Sequence, residues 1–270
     1  MKRILPLLFT LILVLSSSGN AQVSWLTSEK LAKAIAAEKD QLILMDFWAT
    51  WCGPCKKMDS DMWDTEEFKV LSENFVAFKI DIDLERGLAA TYNIRSIPHV
   101  VLATASGDII WERTGYSHSS PYKKVLENLP KSLNGLNLKL LELGEEYEDD
   151  EYFSIAEEYF KLALGSIDDL KNGFLTQSDK YLKEITKNSE NEEKIALAEM
   201  KMLLNDAYQG RYKRAIRKVD KMEAGKNKEL ADMKQFIKAY CFKCEGNVDS
   251  FEKAKAKIKS AEYLSHLEKN

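Results

Sequence analysis

The chain has 270 residues, long for one ordinary domain and enough for two. With 45% apolar and 30% charged residues it has the composition of a folded protein, which excludes disorder on a large scale. The formal charge is −4, and losing Lys2 and Arg3 takes it to −6, so nucleic acid is not an expected partner.

Lys2 and Arg3 precede the apolar run Ile4–Leu15, and small residues follow from Ser16 to Ala21. This order predicts a secretory signal peptide over residues 1–21, cleaved near Ala21, and a mature chain that is periplasmic or secreted. The apolar run is too short to span a bilayer comfortably, which leaves an uncleaved anchor as the lesser alternative. No cysteine lies near the cleavage point to carry a lipid.

Thr27-Ser28-Glu29 opens a helix whose apolar period runs through Leu31, Ala34 and Ile35 to Asp40. Leu42–Trp48 is a continuous apolar run broken only by Asp46, the pattern of a central strand covered on both faces. A helix then begins at Cys52 and runs to about Trp63. Thr65, followed by Glu66 and Glu67, caps a short helix through Asn74. Phe75–Ile82 reads as a strand and Leu84–Tyr92 as a helix. Pro98–Ala103 and Asp108–Arg113 form an antiparallel pair turning at Ser106-Gly107. Ser120-Pro121 opens a helix expected to end near Leu133-Asn134-Gly135. The fold class is α/β over residues 22–134, a mixed sheet flanked by helices.

From residue 135 to 270 the texture changes. There is no proline and no strand-like alternation, and leucine, alanine, lysine and glutamate dominate. The segment predicts an all-α domain of six or seven short helices, punctuated by Gly144, Gly165, Gly173, Gly210, Gly225 and Gly246. Leu143-Gly144, Tyr147, Phe153, Ala156, Phe160 and Ala163 fall at the spacings of a tetratricopeptide repeat. Gly210, Tyr212, Ala215 and Val219 fit the second half of another. An irregular helical bundle with ordinary core alanines is the competing reading.

The chemistry concentrates at Trp51-Cys52-Gly53-Pro54-Cys55. A buried strand opening into a helix whose first turn carries Cys-x-x-Cys is a redox arrangement. The first thiol sits over the unpaired N–H groups of a helix start, where a thiolate is favoured. The second lies one turn on, placed to attack a mixed disulfide formed by the first. A purely stabilising disulfide is the competing reading, but a loop closed over two residues constrains the unfolded chain very little. In an oxidising compartment the pair would rest as a disulfide unless a reductase keeps it open. Asp46, inside an apolar strand, is costly unless it has a partner or a task, and burial should raise its pKa.

The run Leu44–Lys56 resembles the active-site segment of the thioredoxin family. Phe78–Asp83 resembles that family's central strand, and Tyr92–Pro98 the segment ending in its cis-proline. The hairpin from Val100 through Gly107 to Trp111, with Gly115 after it, completes a resemblance over roughly residues 23–132. It implies that Cys52 attacks, that Trp51 shields its approach, and that Gly53-Pro54 gives a stiff turn fixing the sulfur separation. Cys55 would be the resolving thiol. Asp46 would move the proton of Cys55, supported by Lys79, unless the two are simply a buried ion pair. Ile97 and Pro98 would offer backbone to an extended substrate. His99 stands where the family usually has a small hydroxyl residue, so it either tunes the thiolate or only packs. The helix also lacks the family's usual kinking proline, and Lys56-Lys57-Met58-Asp59 resembles exported thioredoxin-like domains instead.

Cys241 and Cys244 repeat the spacing within a helical pattern without a glycine-proline turn. They read as helix cysteines, with a disulfide as the alternative and no zinc site. His118 and His266 read as surface residues. The expected function is an exported thiol-disulfide oxidoreductase, leaning towards a protein disulfide reductase. Its partners would be protein disulfide substrates, an upstream thiol reductant or oxidant, and a protein on the helical half. The only redox group implied is Cys52–Cys55 itself, with no metal, flavin or nucleotide. The alternative is a helical-repeat adaptor whose first domain mainly docks.

Overall fold

The computed structural model describes residues 23–144, 146–223 and 227–269. The expected leader over residues 1–21 lies outside them, as does Gly225.

Helix α1 (Glu29–Lys39) starts where Ser28 Oγ accepts from the Leu31 N–H, and ends at Asp40 in the left-handed region. Strand β1 (Ile43–Trp48) lies between β2 (Val76–Asp81), parallel to it, and β3 (His99–Ala103), antiparallel. Strand β4 (Ile109–Thr114) pairs antiparallel with β3, giving the order β2-β1-β3-β4. Ile43, Met45 and Phe47 face Ala32, Ala36 and Tyr92 on one side. Leu44 faces Met58, Met62 and Trp63 on the other. Two covered faces explain why β1 is apolar almost throughout, and they put Asp46, which shares a face with Leu44, on the Trp63 side.

The helix expected from Cys52 to Trp63 divides in two. Helix α2 covers Gly53–Met58, and Asp59–Trp63 continues as a π-helical turn. Thr65 Oγ1 caps α3 (Glu66–Leu71), after which Ser72–Asn74 forms a 3-10 turn. Helix α4 spans Arg86–Thr91. Gly107, at φ 95°, turns the β3–β4 hairpin, and a side chain there would press on the Tyr92 hydroxyl.

Helix α5 (Ser120–Leu126) stops well short of residue 133. Leu133 and Gly135 instead donate their N–H groups to Asp40 Oδ2, an anchor that needs an irregular chain. Asn137, buried on α6 (Leu136–Glu142), donates to the Ala36 and Gln41 carbonyls and accepts from the Ala105 N–H.

The helical half is longer in its elements than expected. Beyond α6 come α7 (Asp149–Leu164), α8 (Asp168–Asn188), α9 (Glu192–Tyr208) and α10 (Tyr212–Lys221). They are followed by α11 (Lys228–Cys244), α12 (Val248–Lys255) and α13 (Ala261–Lys269). Gly144, Gly165, Gly210 and Gly246 do lie between helices, but Gly173 sits inside α8. Leu143, Gly144 and Tyr147 fall in the α6–α7 connection, so the first repeat pattern is only partly realised as helix. Ala215 and Val219 are buried on α10. Among the described residues no helix is long and apolar enough to cross a membrane.

Candidate active site

The site forms where β1 ends and α2 begins. Cys52 is the N-cap of α2, its Sγ accepts from the Cys55 N–H at 3.2 Å, and Pro54 stands in the first turn. The sulfurs of Cys52 and Cys55 are bonded at 2.05 Å. Both cysteines are 3% exposed, whereas Trp51 beside them is 65% exposed. The Trp51 indole N–H donates to Asp83 Oδ2 at 2.8 Å, which ties the ring to the segment after β2. Gly53 is exposed, with open space where a side chain would stand. The Ile97–Pro98 peptide is cis, and half-buried Ile97 packs against Ala49 and the two cysteines.

Asp46 stands on β1, two residues before the strand ends at Trp48, and is 2% exposed. Burial pushes its carboxyl up from 3.8 to about 7, against the lowering pull of the Lys79 ammonium and with the further push of the Asp59 charge. Asp46 Oδ1 and the indole nitrogen of Trp63 are both buried with no hydrogen-bond partner among the described residues. Lys79 comes from β2, paired in register with Asp46. Its Nζ is 3.7 Å from Asp46 Oδ2 but 2.5 Å from Asp59 Oδ1. The ammonium also lies over the rings of Trp48 and Trp25, at 5.0 and 5.3 Å.

Asp59 is the residue that reading the sequence missed. Within Lys56–Asp61 it resembles one more solvated charge on a helix surface. The available signal was its distance of four residues from Cys55, which puts both on one strip of the helix.

His99 sits on the opposite face of the sheet from Asp46, its ring edge-on to Phe47 at 6.4 Å. Nε2 is 3.2 Å from Glu112 Oε2, and Nδ1 is 2.9 Å from the Thr114 hydroxyl. With Arg95 and Ser96 it lines a cleft of about 410 Å³.

The other cysteines remain thiols. Cys241 is buried, its thiol pushed up to about 12 by that burial, while Cys244 is exposed. His118 is exposed, as expected. His266 is not a free surface residue. Its Nε2 lies 2.5 Å from the Tyr208 hydroxyl, and its ring packs on Phe236. Among the described residues no group of three or more His, Cys, Asp or Glu side chains is placed to hold a metal ion.

Comparison with known proteins bears on the first half of the chain. The family model described as thioredoxin matches residues 22–128. A thioredoxin of Mycoplasmoides gallisepticum is 31% identical over 97 residues, 34% of this chain and 93% of that protein. Thioredoxin-1 of Drosophila melanogaster is 44% identical over 69 residues, 26% of this chain, which spans 63% of that relative's length. The crystal structure of a thioredoxin from Nicotiana alata is 26% identical, covering 43% of this chain and 99% of its own, with a TM-score of 0.34. By the match over residues 22–128, and by a relative covered almost end to end, the chain belongs to the thioredoxin family.

Proposed function

We propose that the protein is an exported thiol-disulfide oxidoreductase that works as a protein disulfide reductase. The observation that carries the reading is the bonded Cys52–Cys55 pair at the start of α2, with half-buried Ile97 packed against it. Reduced Cys52 attacks a client disulfide and forms a mixed disulfide. Cys55 attacks Cys52, releases the client thiol and restores the Cys52–Cys55 bond. Asp46 takes the Cys55 proton, with Lys79 beside it. Trp51, Gly53, Pro54 and Ile97 form the client's landing surface, and the Ile97 backbone is available to an extended segment. Each turnover leaves the site oxidised, so an upstream thiol reductant must recharge it. Lys2, Arg3 and the apolar run behind them support export to the periplasm or beyond.

The helical half serves as a partner-binding arm. It anchors through Asp40, Ala105 and Asp108, at the end of the sheet away from Cys52. A protein held there must reach along β1, about 20 Å for six residues, to meet the cysteines.

Insulin reduction with dithiothreitol tests the central reading. The wild-type chain is expected to shorten the lag before precipitation, and Cys52→Ser to abolish the effect. Equal lags would leave the adaptor reading in its place. Cys55→Ala is expected to accumulate mixed disulfides through Cys52, recoverable with the client attached.

A further inference from the structure

Lys79 Nζ is shared between two carboxylates on different elements. It is bonded to Asp59 Oδ1 at 2.5 Å and stands 3.7 Å from Asp46 Oδ2. Asp59 belongs to the same helical strip as Cys55, for its own N–H donates to the Cys55 carbonyl. The turn that carries the second cysteine therefore also carries the group that holds the ammonium. Asp46 Oδ1 has no hydrogen-bond partner among the described residues. Held at Asp59, the ammonium keeps an ion-pair distance from Asp46 but stays beyond hydrogen-bond reach of it.

We propose that Asp59 is a positioning residue for the exchange reaction: by holding Lys79 Nζ it keeps the ammonium from closing to a hydrogen bond with Asp46, leaving that carboxyl able to take the Cys55 proton and return it. The inference rests on the redox reading of Cys52 and Cys55. In the step concerned, the Asp46 carboxylate removes the proton of the Cys55 thiol, and the Cys55 thiolate attacks the Cys52 sulfur of the mixed disulfide. The bond between Cys52 and the client breaks as the Cys52–Cys55 bond forms. The client sulfur leaves with the electron pair and takes up a proton, and the client disulfide has gained two electrons from the dithiol.

Among the described residues, groups from several elements face Asp46. Lys79 comes from β2, and Asp59 and the Trp63 indole from the turn after α2. Tyr122 of α5 faces it with Arg113 of β4 over the ring, and burial pushes the Tyr122 hydroxyl up to about 12, so it stays neutral in the working range. Freeing the ammonium from Asp59 favours the ionised form of Asp46 and weakens it as a base.

Carbon NMR of the Asp46 carboxyl in the reduced full-length chain, followed across pH, tests this directly. Asp59→Asn is expected to lower the Asp46 midpoint by about one pH unit or more, and Asp59→Glu to restore it. The acid limb of the pH profile for insulin reduction should move the same way. Asp59→Ser removes the same charge should the amide disturb the helix. A midpoint unmoved in a folded Asp59 variant, with wild-type activity present, overturns this inference alone. A wild-type chain without activity overturns the redox reading, and this one with it.

Discussion

At the scale of single residues, Asp46 couples the site to stability. Its carboxyl ordinarily titrates near 3.8, and burial raises it to about 7 in the folded chain. Between those values the folded state holds a proton that the unfolded state has lost. The stability associated with Asp46 is therefore present in full below about pH 4 and disappears as pH rises through about 7. A displacement of that size corresponds to ~4 kcal/mol. Asp46→Asn removes the titration, so its advantage over wild type in melting temperature should grow from pH 5 to pH 8. Calorimetry of the oxidised proteins would show it, and parallel curves for the two would rule the coupling out. Asp46 was legible in the sequence because a charge inside an apolar strand has no ordinary place. Asp59 was harder to read, because beyond its spacing of four from Cys55 only its contact across to Lys79 of β2 sets it apart from its neighbours on a charged helix.

Among the elements, α8 shows how a helix is fitted to an edge strand. Gly173 lies in its interior, where glycine ordinarily costs a helix about 1 kcal/mol relative to alanine. A Cβ there would fall 1.7 Å from the Ile110 carbonyl oxygen, and Gln177, one turn on, donates to the Ile109 carbonyl at 2.7 Å. The glycine lets α8 lie against the free edge of β4, which would otherwise expose unpaired carbonyls. Gly173→Ala should therefore destabilise the chain by about 1–3 kcal/mol, opposite in sign to its effect on an isolated helix. Urea unfolding decides between the signs, and a gain in midpoint would refute the packing argument. In the sequence this glycine resembled Gly165 and Gly210, because spacing does not distinguish a break from a close approach. The strands were easier to read, since β1 and β3 are covered on both sides and their apolar runs follow from that alone. The π-turn at Asp59–Trp63 was not legible, because nothing in its residue types departs from an ordinary helix.

For the whole molecule, the change of sequence texture near residue 135 is not a break in packing. One apolar cluster runs from Leu44, Leu102 and Trp63 through Tyr122 and Leu126 to Tyr159, Phe174, Leu182 and Ala198. Asp108, buried at the hairpin turn, accepts from the hydroxyls of Tyr159 at 2.6 Å and Tyr181 at 2.8 Å, and pairs with Lys180. A carboxylate taken out of water needs those donors, so moving α7 and α8 away from the sheet would strip bonds as well as apolar cover. A second cluster begins at Met200 and gathers Phe236, Ile237, Cys241 and Leu267. Helix α9 thus belongs to both, and the seam in cooperativity should fall there rather than at the α5–α6 connection. Native-state hydrogen exchange reads this directly. Amides of α7 and α8 should open with the same free energy as those of β1 and β3, and amides of α11 with a lower one. Were α7 and α8 to open while β3 stayed protected, the sheet and these helices would be separate units. Their coupling also bears on the site, because α8 braces β4, β4 braces β3, and β3 begins at His99, next to Pro98.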